Sequence, residues 1–540
     1  MKLLRPACSR VFVAMSMFVA FFSCAARAQE HNEKLGSVNF PVSCTSEQTR
    51  FNRGVALLHN FFFPETVKAF QEIVRNDPEC AMGYWGIAMS NRPNPLVQPF
   101  AAPNMKAGWE AVQKAKAAKH QTAREADYIA AMEKFYKDYD SVDLPTRTQR
   151  YRNDMEEVQK KYPADEEAAI FFALALLEAL DLSDKTYSSQ LKAAAILNEQ
   201  ASKHPDHPGV AHYLIHAYDF APFAALCVPT ARLYEKIAAD APHALHMPSH
   251  IYSMLGLWED SIRSNRAAEA SGNAYAAKNY PQFTDATIPH SLDFLMFAYL
   301  QLAKDENAQR LLEQVASLKP VSAPRLTVDT ALAAIPARFI LERAAWQEAS
   351  NLPVRDSQYP AAQAITYFTR SMAAARRGDL AAAKVDRDQL EAIEAKQITA
   401  KDAYWAGQSQ ILKSAAAAWI AFAEGRKDEA ISLMRKAADQ DDASEKHVAM
   451  ENKLIPVRAL LGELYLAAGM HAQALKETET SLKTIPNRYQ SVATAAAAAR
   501  GQGATELAKR YYRALTTLAV DGNQSRPEIV EAKRYLAQSQ

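Results

Sequence analysis

Residues 51–78 read FNRGVALLHNFFFPETVKAFQEIVRNDP. Two apolar helical stretches meet at a short break, with Gly54 in the first, Phe70 in the second and Pro78 closing the unit. The pattern returns along the chain. Tyr84, Ile87 and Ala88 open the next unit. Gly256-Leu257-Trp258 with Ser261, Gly378-Asp379-Leu380 with Ala383, Gly425-Arg426-Lys427 with Ala430, and Gly469-Met470-His471 with Ala474 each mark a turn and a second helix. Gly503 with Ala508 gives a final one. Small residues let the two helices of a hairpin approach closely, and large apolar residues fill the space between units. No unit alternates as a strand does. An all-α repeat array is therefore expected.

Spacing and recurrence together resemble the tetratricopeptide repeat over most of residues 47–520, with Tyr84, Ile87 and Ala88 in the places of that motif's Trp, Leu and Gly. The resemblance implies helix-turn-helix units stacked into a superhelical solenoid whose first helices line a concave groove. It further implies a scaffold that binds a peptide or protein there. The segments HYLIHAYD, HALHMPSHIY and CAMGYWGIAMS are similar to those of a broad group of bacterial exported tetratricopeptide-repeat proteins. That group carries a further His and aromatic residues after GYWGIAMS, where this chain has Asn91-Arg92-Pro93-Asn94-Pro95.

Length and composition agree with an array. The 540 residues exceed one ordinary core, are rich in good helix formers, and include only 16 Gly. Two lobes are expected: residues 47–317 and 361–520, joined by a Pro-rich connector at 318–360 whose middle, 329–350, reads as helix. A capping helix is expected within 521–540. Helices are also expected at about 105–119, 122–139, 146–161, 165–181 and 188–203. Asn91 to Asn104, with four Pro, is a loop and either a lid or an irregular connection. Lys plus Arg is 62 against 61 Asp plus Glu, so a net charge of +1 gives no reason to bind nucleic acid.

Residues 1–28 read as a secretory signal peptide. Lys2, Arg5 and Arg10 precede a 12-residue apolar run, Val11 to Phe22, and Ala26-Arg27-Ala28 offers a cleavage site. A lipoprotein anchor at Cys24 is the minor alternative, since Phe21 replaces the usual Leu-like residue. No later segment is apolar for long enough to cross a membrane. The chain is expected to be exported, periplasmic or secreted, with 29–46 as an N-terminal extension. Export permits a disulfide. Cys44 lies just before the first helix and Cys80 at the start of the third, and such starts are neighbours in a hairpin array, so Cys44–Cys80 is expected. Cys227 is left over, as a small buried residue or a weak candidate ligand.

Function concentrates in the histidines. Of thirteen in the chain, eight fall between 204 and 290. His212, His216 and Asp219 share one helix face at spacings of four and three, as do His243, His246 and His250. His290 opens the next first helix. By the repeat resemblance all six His and Asp219 face one groove from three adjacent units. Imidazoles at such spacings can share a metal ion, here Zn, Cu or Fe. HExxH and Glu-x-x-His are both absent, which removes a zincin and a di-iron carboxylate bundle. Pro248 either breaks the helix that carries these His or begins it. Tyr213, Tyr218, Tyr252 and Ser249 are candidates to support the ligands, and Asp219 and Asp293 either to support them or to bind directly. His59 would reach the site only if the superhelix curls back. His204 and His207 read as loop residues, and His120, His447 and His471 as solvent-facing. The leading expectation is an exported solenoid that binds a peptide, protein or metal-bearing ligand in its concave groove, with the histidines as a candidate metal site. The alternatives are a metal-dependent enzyme and a metal carrier or sensor.

Overall fold

In a computed structural model, residues 33–323 and 325–538 are described. The proposed signal peptide lies outside them. Residues Leu35–Gln540 form one compact unit.

The opening stretch folds as a hairpin of helices, Gln48–His59 and Phe63–Asn76, followed by Ala81–Ser90. Phe70 explains the spacing of small residues around it. A Cβ at Gly54 would meet its ring at 3.1 Å and one at Gly86 at 2.2 Å, so only glycine allows the helices to sit this close to the aromatic ring. Among the described residues the chain forms 25 α-helices and no strand. Most pair with their sequence neighbour, as in Pro360–Arg377 with Leu380–Thr399 and Val457–Ala467 with His471–Thr484. Gly256 shows what the turns require: its φ is +64°, and a Cβ there would lie 2.2 Å from the Pro486 carbonyl oxygen. Cys44, just before the first helix, is disulfide-bonded to Cys80, just before the third, with their Cα atoms 5.4 Å apart.

The less regular region resolves into helices Ala102–Ala117, Ala123–Tyr136, Leu144–Lys161, Glu166–Glu178 and Ser188–Lys203. One large apolar core runs from Leu35 to Met254 and a second from Ala303 to Ala532. Between them the helix Leu326–Leu341 packs on Ile288–Gln301 and on Pro360–Arg377. The last helix, Pro527–Gln538, seats Ile529 and Ala532 on the end of the second core.

The array curls back on itself. Trp258 Nε1 donates to the Asn487 carbonyl at 3.0 Å, Arg488 pairs with Glu342 at 2.8 Å, and Lys446 pairs with Asp219 at 2.7 Å. At the other end Tyr275 Oη donates to Glu65 at 2.6 Å, bringing the first hairpin against the helix Trp258–Asn279. Segment 443–456 contains no helix and brings Val448 to the histidine cleft. Its Glu445 N–H donates to the Leu182 carbonyl at 2.9 Å, and its Asn452 carbonyl accepts from Arg338 at 3.2 Å. Among the described residues no helix is long and apolar enough to cross a membrane.

Candidate metal centre

Three helical units bring the six histidines together. His212 and His216 lie on Pro208–Tyr218, His243 and His246 on the one-turn helix Pro242–His246, His250 on Pro248–Met254, and His290 in the first turn of Ile288–Gln301. Pro248 starts a helix, where its missing N–H costs nothing. The short helix before it, rather than a loop, carries His243 and His246. The rings are buried except His243, which is part-exposed and stacks on Phe61.

The six fall into two triads. In the first, His212 Nε2 lies 3.1 Å from His216 Nε2 and 3.2 Å from His243 Nε2. In the second, His246 Nε2 lies 3.1 Å from His250 Nε2, and the His290 ring is 4.7 Å from that of His246. Within each triad the three ligand atoms lie within 4.8 Å of one another. With metal–imidazole bonds of about 2.0–2.1 Å, a tetrahedral site has N···N edges of about 3.3 Å. The observed separations fit that edge.

Outer partners decide where the ring protons sit. His212 Nδ1 contacts the His59 carbonyl oxygen at 2.6 Å, which accepts only, so Nδ1 carries the proton and Nε2 a lone pair. His250 Nδ1 contacts Asp219 Oδ2 at 2.8 Å, with the same consequence. His246 Nδ1 contacts Asn265 Oδ1 at 2.7 Å. The Asn265 amide is oriented by its Nδ2, which donates to the Ser261 carbonyl at 2.8 Å. His246 and His250 therefore point two lone pairs at each other across 3.1 Å. A proton could bridge them only if one ring held it near neutrality. Burial pushes His246 down to about 4, and burial with the nearby Lys446 charge pushes His250 well below its ordinary value. His212, His216, His243 and His290 are pushed well below it as well, burial first and neighbouring imidazoles second. His290 Nδ1 is buried without a hydrogen-bond partner among the described residues.

Asp219, expected as a ligand, caps the first helix and belongs to neither triad; its Oδ2 is occupied by His250 and Lys446. Asp293 does not support His290. It pairs with Arg338 at 2.8 Å, deep in the core. Ser249 Oγ donates to the His246 carbonyl at 2.7 Å, and Tyr213 Oη lies 2.9 Å from His59 Nδ1. Tyr218 Oη accepts from Asn198, and Tyr252 Oη has no partner among the described residues. Cys227 is buried, its thiol pushed up by that burial, and joins neither triad.

Several histidines are placed differently from the sequence reading. His59 is fully buried, and its carbonyl anchors His212, because the superhelix does curl back. His207 is buried, with Nε2 3.1 Å from Glu167 Oε1, while His59 Nε2 lies 3.0 Å from Glu167 Oε2. His447 packs against the rings of Tyr404 and Trp405 and is part-buried, and burial pushes it down to about 4. His471 is part-buried, and His120 is exposed beside Asp77 at 2.9 Å. Sequence reasoning missed Asn265, Lys446 and Arg325. Asn265 left a faint trace, a poor helix former in a helix interior. Lys446 left none, being 227 residues from its partner.

Both triads face one cleft of about 560 Å³, counting the part open to solvent. Phe61, Phe63, Asn94, Arg325 and Val448 complete its walls.

No protein-family model matches the chain, and no curated protein matches it. Among solved structures it is similar to the Cut9–Hcn1 hetero-tetramer of the APC/C, at 11% identity over 92% of this chain and 84% of that one, TM-score 0.34. It is similar to the TPR domain of P58(IPK), at 14% identity over 70% and 99%, TM-score 0.22. A monomeric IFIT1 mutant gives 12% identity over 81% and 90%, TM-score 0.33. Likenesses this weak carry no argument about the site or partners. The repeat fold rests on the hairpins themselves.

Proposed function

We propose that this helical-repeat protein is an exported metal-binding protein whose six histidines hold transition-metal ions at the centre of the array. The observation that carries this reading is the pair of facing lone pairs on His246 and His250. Two buried acceptors at 3.1 Å repel unless a cation lies between their lines of sight. The donor set supports borderline metals. Every ligand is a neutral imidazole, which suits Zn, Cu and Fe and does not suit Mg or Ca, whose shells are oxygen. The outer contacts to the His59 carbonyl, Asn265 and Asp219 are of the type that fixes ligand imidazoles. Export is supported by the leader-like first 28 residues and by the Cys44–Cys80 bond.

Elemental analysis of untagged protein, beside a His212→Ala/His246→Ala double variant, tests the reading. Metal in the natural protein and none in the variant is the expected result. No metal in either, after reloading with Zn, Cu and Fe, would sink it.

Peptide or protein binding remains a second reading, favoured by a separate apolar cleft lined by Ile365, Trp405, Leu412, Met450 and Leu454. Trp405 emission would report its occupancy by a partner, and emission that no exported-fraction peptide shifts would count against it.

A further inference from the structure

The two triads are close enough to act together. Between them, His216 and His250 rings lie 6.0 Å apart and His243 and His246 rings 5.9 Å apart. Within a triad the neighbouring rings are 4.9 and 5.0 Å apart for His212–His216 and His246–His250. Ring spacing does not divide the six, since His250 and His290 inside the second triad are 5.8 Å apart; the ligand atoms do, those of each triad lying within 4.8 Å of one another. Two sets of three nitrogens, each a complete face with its remaining side toward the same cleft, describe a paired centre rather than one ion with six ligands.

Charge then determines what else must enter. Six neutral imidazoles cancel none of the charge of two cations. The nearest carboxylate, Asp219, is already engaged by Lys446 at 2.7 Å and by His250 Nδ1 at 2.8 Å. Asp285 is engaged by Tyr280 and, at 2.8 Å, by the Thr287 N–H. The remaining charged side chain lining the cleft is Arg325, which shares that lining with His243. Asp285 acts electrostatically on Arg325, but one carboxylate does not offset Arg325 and two metal cations together. Buried positive charge without enough counter-charge is costly. Asn94 and Thr327 add side chains able to donate hydrogen bonds to the same space.

We infer that the cleft is a small-oxyanion site, in which a carboxylate- or phosphate-type group bridges two metal ions, one per triad, and is held on its outer side by Arg325. This rests on the metal reading above. The anion supplies the missing negative charge and the open coordination positions, and Arg325 supplies orientation through its planar fork of donors. Phe61 and Phe63 form the apolar side of the cleft and leave room for a small organic carboxylate as readily as for an inorganic ion.

The test uses the full chain loaded with cobalt(II), its metal content measured first. Two cobalt ions per chain are expected, with a visible spectrum that shifts saturably on adding acetate or inorganic phosphate. Arg325→Gln should weaken that response roughly tenfold, the usual scale for losing one charge-assisted contact, with Arg325→Lys recovering part of it. A single ion per chain would overturn the paired centre. Two ions with a spectrum indifferent to both anions, or a response unchanged in Arg325→Gln, would overturn the oxyanion site and leave the metal reading standing. No cobalt, zinc or copper bound at all would remove both. The titration of the natural chain decides the matter even if the Arg325 variants fold poorly.

Discussion

Two buried histidine clusters lie side by side, and their hydrogen bonds run in opposite senses. In the first, His59 and His207 flank Glu167. His207 Nδ1 accepts from the Val210 N–H, so its Nε2 donates to Glu167, and His59 takes Tyr213 Oη on one side and Glu167 on the other. Every donor has an acceptor, and Glu167 is held down at about 2 by the two imidazoles against its burial. In the second, the outer nitrogens are spoken for and the inner ones face one another as lone pairs. The first has the ligand types of a metal site and needs no metal. Ligand identity and spacing alone do not separate the clusters; tracking each proton does.

The strongest way to break this contrast is to delete ligands in each cluster. His212→Ala/His246→Ala should abolish metal binding while helical circular dichroism persists. His207→Ala should leave metal content unchanged. Equal metal loss in both would erase the distinction.

Glu167→Ala should cost about 3–5 kcal/mol, because it strands buried imidazole donors, with metal stoichiometry intact. Chemical denaturation measures this. A loss below about 1 kcal/mol would mean that the network is not stabilising.

Acid separates the clusters in a second way. His246 is depressed from 6.5 to about 4. The unfolded chain therefore binds its proton first, and the metal-free protein loses stability as pH falls from 6.5 toward 4, by about 3 kcal/mol for this ring alone. Glu167 is depressed from 4.5 to about 2. Its contribution is complete above 4.5 and is lost as pH falls through that lower window. Unfolding free energies measured from pH 7 to 3 should fall in both windows; a curve flat from 6.5 to 5 would contradict the first.

The smallest expected change is in Asp219→Asn, which keeps a hydrogen-bond acceptor for His250 but loses the charge facing Lys446. Metal affinity should drop about 10–100-fold without loss of stoichiometry, as for other residues that orient a ligand. Complete loss would make Asp219 a ligand after all.

The repeat and the His cluster were legible because both are periodic. Phe70 against Gly54 and Gly86, and His212 with His216 one helical turn apart, are local patterns that a sequence carries openly. What closes the site is not local. Lys446, the segment 443–456, and the His59 carbonyl arrive from distant hairpins, and the sequence holds no sign of which face they meet. Asp219 was read both as a ligand and as a support for one because its spacing fits a shared face; the helix ends at Tyr218, and the carboxylate meets His250 Nδ1 and Lys446. His447 was read as solvent-facing, and it packs on Tyr404 and Trp405 at the start of helix Ala403–Ala423, a contact that local spacing does not reveal.

The most direct measurement is anomalous diffraction from crystals of the metal-loaded protein, recorded on either side of the absorption edge. Two peaks are predicted, one within about 2.0–2.1 Å of His212, His216 and His243, the other at that distance from His246, His250 and His290. Peaks at His59, Glu167 and His207 instead, or no peak among the six histidines, would contradict the account.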